Sequence, residues 1–248
     1  MKRMISTFLV MGIYTAFASS GFLPNPPFAS IGEVISFITS NEFIQLLLQD
    51  CTSTVSLTLL SWFIGSILGV FCGILIALSG KRAGIIIGML EFLRSIPAAM
   101  WIPFGIVLVG IGTKSALWVS TFVVFLFMAS EAAYSEHLFL QIRHKHLKRL
   151  GVNLWDRIFK AHIYEVLTVA IPSSKIAITI SLIVVVVGEM QGGSSIGLGS
   201  RLIIFQASQR GEAMISLMML AGIVGTLLNV ILDVVENLIV PWHRKDHQ

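Results

Sequence analysis

The apolar run 166–189 contains two ionisable side chains, and they are this chain's first candidates for chemistry. Glu189 closes the apolar run 166–189, and Lys175 lies within that run, about two turns from its other end. A charge in an apolar medium is costly, so it faces a cavity, pairs with an opposite charge, or reaches a polar boundary. Glu189 then lines a pathway or gate, or stands as a helix-end carboxylate among lipid headgroups. Lys175 snorkels to the interface, or pairs with Glu131, Asp233 or Glu236. Little else is equipped for catalysis. No Walker A sequence, no HExxH and no GxSxG occurs, and no Cys/His ligand set is present. The six histidines (His137, His144, His146, His162, His243 and His247) all fall in charged segments outside the apolar runs. Cys51 and Cys72 would lie roughly 30 Å apart on one helix, too far for a disulfide, and read as packing residues.

The elements that position these residues are membrane spans. Of 248 residues 55% are hydrophobic and only 12% charged, with a mean hydropathy of +0.87. A soluble domain is about 25% charged. A spanning helix takes about 20 apolar residues, and six segments qualify: 4–22, 52–79, 84–112, 115–135, 166–189 and 213–238. With the N-terminus inside, the inner segments carry Lys2, Arg3, Lys81, Arg82, Arg94, Arg143, Lys145, Lys148, Arg149, Arg157, Lys160, Arg244 and Lys245. The outer segments carry only Lys114, Arg201 and Arg210. That asymmetry fixes both termini in the cytoplasm. It also accounts for the net charge of +4 without nucleic acid.

The first segment has a second reading. Lys2 and Arg3 precede an apolar stretch, and Ala16-Phe17-Ala18 resembles a signal-peptidase site. The outer segment 23–51 opens on Leu23-Pro24-Asn25-Pro26-Pro27, which stops a helix. Beyond it, Ile31, Val34, Ile35 and Ile38 recur at helical spacing. They predict an amphipathic helix on the outer surface or a buried connecting helix. Gly65, Gly69 and Gly73 predict close helix contact.

The inner segment 136–165 is a basic island with internal order. A polar helix leads to a turn at Gly151, with Val152 and Asn153, and Trp155 and Phe159 then share a helical face. A structured cytoplasmic loop suits a soluble partner; an exposed Trp also suits an interfacial anchor. The stretch 93–114 reads LRSIPAAMWIPFGIVLVGIGTK. Pro97 and Pro103 flank Trp101 there, and Arg94 precedes them. They shape a translocation path or merely kink a packed helix.

This block resembles the permease subunits of ABC importers, in the nitrate/sulfonate/taurine branch of the binding-protein-dependent family. Glu189-Met190 followed by Gly197-Leu198-Gly199 is similar to that family's Glu-Met…Gly-Leu-Gly signature, and Asp233, Glu236 and Trp242 to its last helix. The family's cytoplasmic hallmark, Glu-Ala-Ala-x3-Gly-x9-Ile-x-Leu-Pro, keeps its frame around Gly151 with replacements. Lys145, His146 and Leu147 stand at Glu-Ala-Ala, and Ile163 and Tyr164 at Leu-Pro. Lys175 stands at a downstream arginine position, 14 residues before Glu189.

The resemblance implies an all-α integral membrane protein of about six transmembrane helices with the type I ABC importer permease fold. Residues 1–22 form the first helix, 23–51 a periplasmic loop, 52–243 the permease core and 244–248 a cytoplasmic tail. Lys145, Leu147, Gly151, Val152, Asn153, Trp155 and Phe159 would couple to an ATPase. Arg94, Pro97, Trp101, Pro103, Lys175, Glu189, Gly197 and Gly199 would line the pathway or gate. The implied partners are two ATP-binding subunits that carry the ATP and Mg, a second permease copy, an extracytoplasmic solute-binding protein and the lipid bilayer. No cofactor binds this chain itself. The implied location is the bacterial cytoplasmic (inner) membrane, and the solute a small anion (nitrate, a sulfonate such as taurine, bicarbonate) or a vitamin precursor. A secondary transporter or channel would show a charged midplane site or inverted repeats. A non-transporting membrane scaffold is the other alternative.

Overall fold

A computed structural model describes residues 29–153 and 163–239. The segment 4–22, the prolines after Leu23, Trp155, Phe159 and the tail from 244 lie outside the described residues, and Lys145 is described in its backbone alone. Among the described residues every regular element is helical. α1 is Ile31–Ile38 and α2 Asn41–Leu46. A π-helical turn at Leu47–Cys51 joins α2 without a break to α3, Thr52–Leu78. α4 is Ala83–Ser95, α5 Trp101–Val109 and α6 Thr113–Arg149. α7 is Ile163–Gln191, α8 Leu198–Ala207 and α9 Gly211–Ile239.

α1 starts on a capping box in which Glu33 N–H donates to Ser30 Oγ (3.4 Å) and Ser30 N–H to Glu33 Oε2 (2.7 Å). Its apolar residues divide. Val34 and Phe37 are buried, with Phe37 edge-on to Phe43 and Phe205, while Ile31 and Ile35 stay exposed. The helix is therefore half connector and half surface element.

Four stretches are long and apolar enough to cross a membrane: Asn41–Leu78, Thr113–Ser135, Thr168–Gln191 and Gly211–Glu236. They match the second, fourth, fifth and sixth segments read from hydropathy, the second beginning three turns earlier. The third differs. Instead of one span over 84–112, α4 and α5 meet at an angle of 83° across Ile96 and Pro97. Two axes at that angle cannot both follow the membrane normal, and the nine residues of α5 cover only about 14 Å of a core roughly 30 Å thick. Pro97 makes this break, because it denies the helix an N–H donor and holds Ile96 extended (ψ 123°). Pro103 does not, since it sits in the first turn of α5, where N–H groups need no partner.

α3, α6 and α7 form the centre. Gly65, Gly69 and Gly73 are buried against α6, so close that an added Cβ would stand 2.7–2.8 Å from the carbonyl oxygens of Thr121, Phe125 and Ala129. Where the three helices cross, Ser61, Ser120 and Ser181 are fully buried with their hydroxyls 2.7–3.0 Å apart. Ser181 and Ser61 also lie within bonding distance of the Thr58 carbonyl. Satisfied hydroxyls of this kind join helices that the hydrophobic effect cannot hold together in lipid. α7 and α9 build a second core with α1 and α8, from Ile178, Leu182, Leu198, Phe205, Leu217, Val224 and Leu228.

Candidate functional site

The outer ends of α3 and α7 and the start of α8 meet in a buried polar node. α7 ends at Gln191, and a turn through Gly193 (φ +64°) and Gly197 (φ +130°) brings the chain back to start α8 against it. The first N–H groups of a helix have no partner within it and carry its positive end. Here side chains of two spans receive three in succession. Gly197 N–H donates to Asp50 Oδ1 (2.9 Å), Leu198 N–H to Thr54 Oγ1 (2.9 Å) and Gly199 N–H to Glu189 Oε2 (2.9 Å). The Thr54 hydroxyl lies 2.9 and 3.0 Å from the two Glu189 oxygens, and Arg201 Nε donates to Asp50 Oδ2 at 2.7 Å. Both carboxylates are 1% exposed.

Glu189 is therefore enclosed by its own bundle rather than exposed at a helix end. Its carboxylate is turned inward, where a threonine hydroxyl and a helix N-terminus replace water as donors. Gly197 and Gly199 are in contact with it for a steric reason. A Cβ on Gly197 would fall 2.3 Å from the Glu189 carboxyl carbon, and one on Gly199 would fall 2.1 Å from the Val186 carbonyl oxygen. The arrangement fixes α8 to α3 and α7. Beside it, Arg210 joins α2 to the turn before α9. Its guanidinium bonds both Glu42 oxygens (2.8 and 3.0 Å), which raise its pKa, and lies over the Phe37 and Phe205 rings.

Asp50, Thr54 and Arg201 were not singled out in the sequence. A usable signal was present: Asp50 falls one turn before Thr54 at the mouth of a span, and Arg201 is one of only three basic residues on the outer side. Asp50→Ala is expected to lower stability by about 2 kcal/mol, because Gly197 N–H and the guanidinium both lose an acceptor. Arg201→Ala should cost as much, by leaving a buried carboxylate with one donor. The double variant should lose less than the sum, by about 1 kcal/mol or more. Thermal unfolding of the four proteins in detergent measures this cycle.

The other singled-out residues do not join this node. Arg94 lies in the last turn of α4 and bonds Glu131 (2.7 Å) and Ser130 (2.9 Å), with its guanidinium over Phe127. Glu131, one of three acids weighed for Lys175, is thus taken by Arg94. Lys175 instead lies between the other two, bonded to Asp233 Oδ1 (2.5 Å) and paired with Glu236. Trp101 opens α5 and packs edge-on against Phe122 (4.9 Å), which stacks on Trp118. Leu147, Gly151, Val152 and Asn153 lie at the far end of α6. That helix runs beyond its apolar part and stops at Gly151 (φ +73°), where Val152 N–H reaches back to the Leu147 carbonyl (3.2 Å). This six-to-one bond closes a helix on a left-handed residue, the conformation glycine adopts most easily.

No family model matches the chain. Over 232 residues, 90% of this chain and 80% of the relative, it is 25% identical to the taurine transport system permease protein TauC of Escherichia coli (strain K12). Two solved structures of inward-facing conformations of the MetNI methionine ABC transporter have the same fold. One is matched with a TM-score of 0.63 over 82% of this chain and all of that one, at 21% identity. The other is matched at 0.59 over 78% and 99%, at 20% identity. This chain therefore has the fold seen in the MetNI structures, and its similarity to a transport-system permease protein runs through nearly all of its length.

Proposed function

We propose that this chain, paired with a second permease copy, forms the passage of an ATP-driven importer for small anionic or zwitterionic solutes of the sulfonate kind, in a bacterial cytoplasmic membrane. The solute class follows the printed function of its relative, a taurine system. Coupling runs through the loop 136–165. The observation that carries this is the length of α6. Its apolar part ends at Ser135, yet the helix continues to Arg149, about 20 Å further. At its tip Leu150 is 77% exposed beside Gly151, an apolar residue in a charged loop. A stiff helix ending in a sharp turn and an uncovered leucine suits docking to a soluble subunit, and the movement of that subunit would be passed along α6 into the core.

Two ATP-binding subunits would bind ATP and Mg and hydrolyse the nucleotide, and an external solute-binding protein would deliver the solute. The spans would alternate access without chemical change to it. Affinity purification of the tagged chain from its native membrane in mild detergent, with mass spectrometry of what co-elutes, tests the coupling. A stoichiometric protein bearing a Walker A sequence supports it; recovery of the chain alone across several detergents overturns it in favour of a secondary transporter or a scaffold. Gly151→Val places a branched side chain at φ +73° and costs about 1–2 kcal/mol at that turn. It should cut ATP-driven uptake into vesicles several-fold while membrane insertion is unchanged.

A further inference from the structure

The bundle carries on one outer face a stripe of polar atoms that hydrocarbon cannot cover. It lies on α9 and the adjoining part of α7, in the half of the membrane nearer the cytoplasm. On α9, Gly222, Thr226, Asn229, Asp233 and Glu236 fall within an arc of about 80°. Three sectors divide this helix. Val224, Leu228 and Leu232 are buried against α7. Ile223, Leu227, Val230, Ile231 and Val234 form the lipid-facing sector, all half exposed or more. The polar stripe takes the other part of the exposed side, between the buried sector at one edge and Val230 at the other. Across it α7 contributes exposed Thr179, whose hydroxyl accepts from Asn229 (3.0 Å), and Lys175 between Asp233 and Glu236. The side chain of Asp233 is 57% exposed and that of Lys175 25%.

A carboxylate, an ammonium and an amide held together on a transmembrane surface face water or another protein, because lipid supplies them no hydrogen bonds. The separation into three sectors argues the same way, since a helix sunk in lipid on its whole free side would not set its polar residues apart. We infer that the α7–α9 stripe formed by Lys175, Thr179, Thr226, Asn229, Asp233 and Glu236 lines the cytoplasmic half of the water-filled passage. This deepens the importer reading and rests on it for the existence of a passage. The neutral hydroxyls and amide lie deepest, and the charged group stands at the inner mouth. The solute thus meets first groups that both donate and accept, then a fixed ammonium and carboxylates on its way out.

Cysteine labelling tests the assignment on the full chain in inside-out vesicles, with Cys51 and Cys72 replaced by alanine. Thr226→Cys and Asn229→Cys would be compared with Leu227→Cys and Ile231→Cys, using a charged, membrane-impermeant thiol reagent. The reagent attacks only the thiolate, which forms in water and not in hydrocarbon. The stripe positions should react about tenfold faster or more than the lipid-facing pair. Equal slow rates at all four positions would overturn the assignment. So would spontaneous disulfides between two copies at Thr226→Cys, which would place a second copy over the stripe. Thr226→Cys keeps the test valid if Asn229→Cys fails to fold, since Thr226 bonds only the Gly222 carbonyl of its own helix. Labelling needs neither an ATPase nor a known solute, so its failure leaves ATP coupling standing, and loss of ATP coupling does not alter the labelling result.

Discussion

Gly199→Ala is expected to release α8 from the bundle and lower stability by about 3–4 kcal/mol. The added methyl would sit 2.1 Å from the carbonyl oxygen of Val186 and 2.9 Å from the Glu189 Cβ. The first of these is backbone near the end of a packed helix, so no side-chain rotation relieves the clash, and α8 has to move. Its movement breaks the bond from Gly199 N–H to Glu189 Oε2 and draws Gly197 and Leu198 away from Asp50 and Thr54. Two buried carboxylates would then lose donors together. The expected fall in the unfolding midpoint is ~10 °C for a chain of this size. Gly84→Ala is the control. Gly84 lies in α4 with no atom within 4 Å of an added Cβ, so alanine there should be neutral or slightly stabilising. If Gly199→Ala melts with Gly84→Ala, the node does not hold α8. Glu189→Gln separates charge from shape: it keeps an acceptor for Thr54 and Gly199, and should cost less than half as much.

Which parts of this arrangement the sequence revealed follows from how each is held. A span is legible because lipid demands about 20 apolar residues in a row, a one-dimensional property. The turn at Gly151 was legible too, because a polar helix followed by glycine is a local signal. The bend between α4 and α5 was only half legible. Pro97 marks the place, but the angle depends on where Ile102 and Trp101 find room against Val119, Val184 and Phe122, residues remote in the chain. Glu189 shows the limit most clearly. Hydropathy places a carboxylate at the end of a span, and nothing near it says whether it points out or in. Its direction is set by Thr54, 135 residues away, and by the return of the chain at Gly197. Asp50 and Arg201 pair across 151 residues. Lys175 fared better, because two of the three weighed acids are the ones it meets, and the third was claimed by Arg94.

The same reasoning gives the other large effect, at the α3–α6 crossing. Gly69→Val is expected to destabilise the protein by about 3–5 kcal/mol. At Gly69 even a Cβ would stand 2.7 Å from Met128 Cβ, 2.8 Å from the Phe125 carbonyl and 3.0 Å from the Ala129 amide nitrogen. Valine adds two more carbons with one strongly preferred rotamer in a helix, so it cannot turn aside. The axes must separate, and one helix turn cannot separate alone. Gly65 and Gly73 sit in the same narrow contact, and two turns from Gly69 the hydroxyls of Ser61, Ser120 and Ser181 bond to one another. Spreading α3 from α6 would pull Ser61 out of that set and leave buried hydroxyls unpaired, which adds to the steric cost. Gly69→Ala should cost about 1–3 kcal/mol, since a single methyl needs a smaller shift. Thermal unfolding in detergent should rank wild type, Gly69→Ala and Gly69→Val in that order, with Gly84→Ala beside wild type. A Gly69→Val protein as stable as wild type would mean that α3 and α6 do not meet along this face. Because α6 is also the helix that extends toward the cytoplasm, its fit against α3 has a functional consequence. If α6 passes the motion of an ATPase into the core, as proposed, a displaced α6 tip should lose ATP-driven uptake even in the fraction that remains folded, which transport per folded molecule in vesicles would measure.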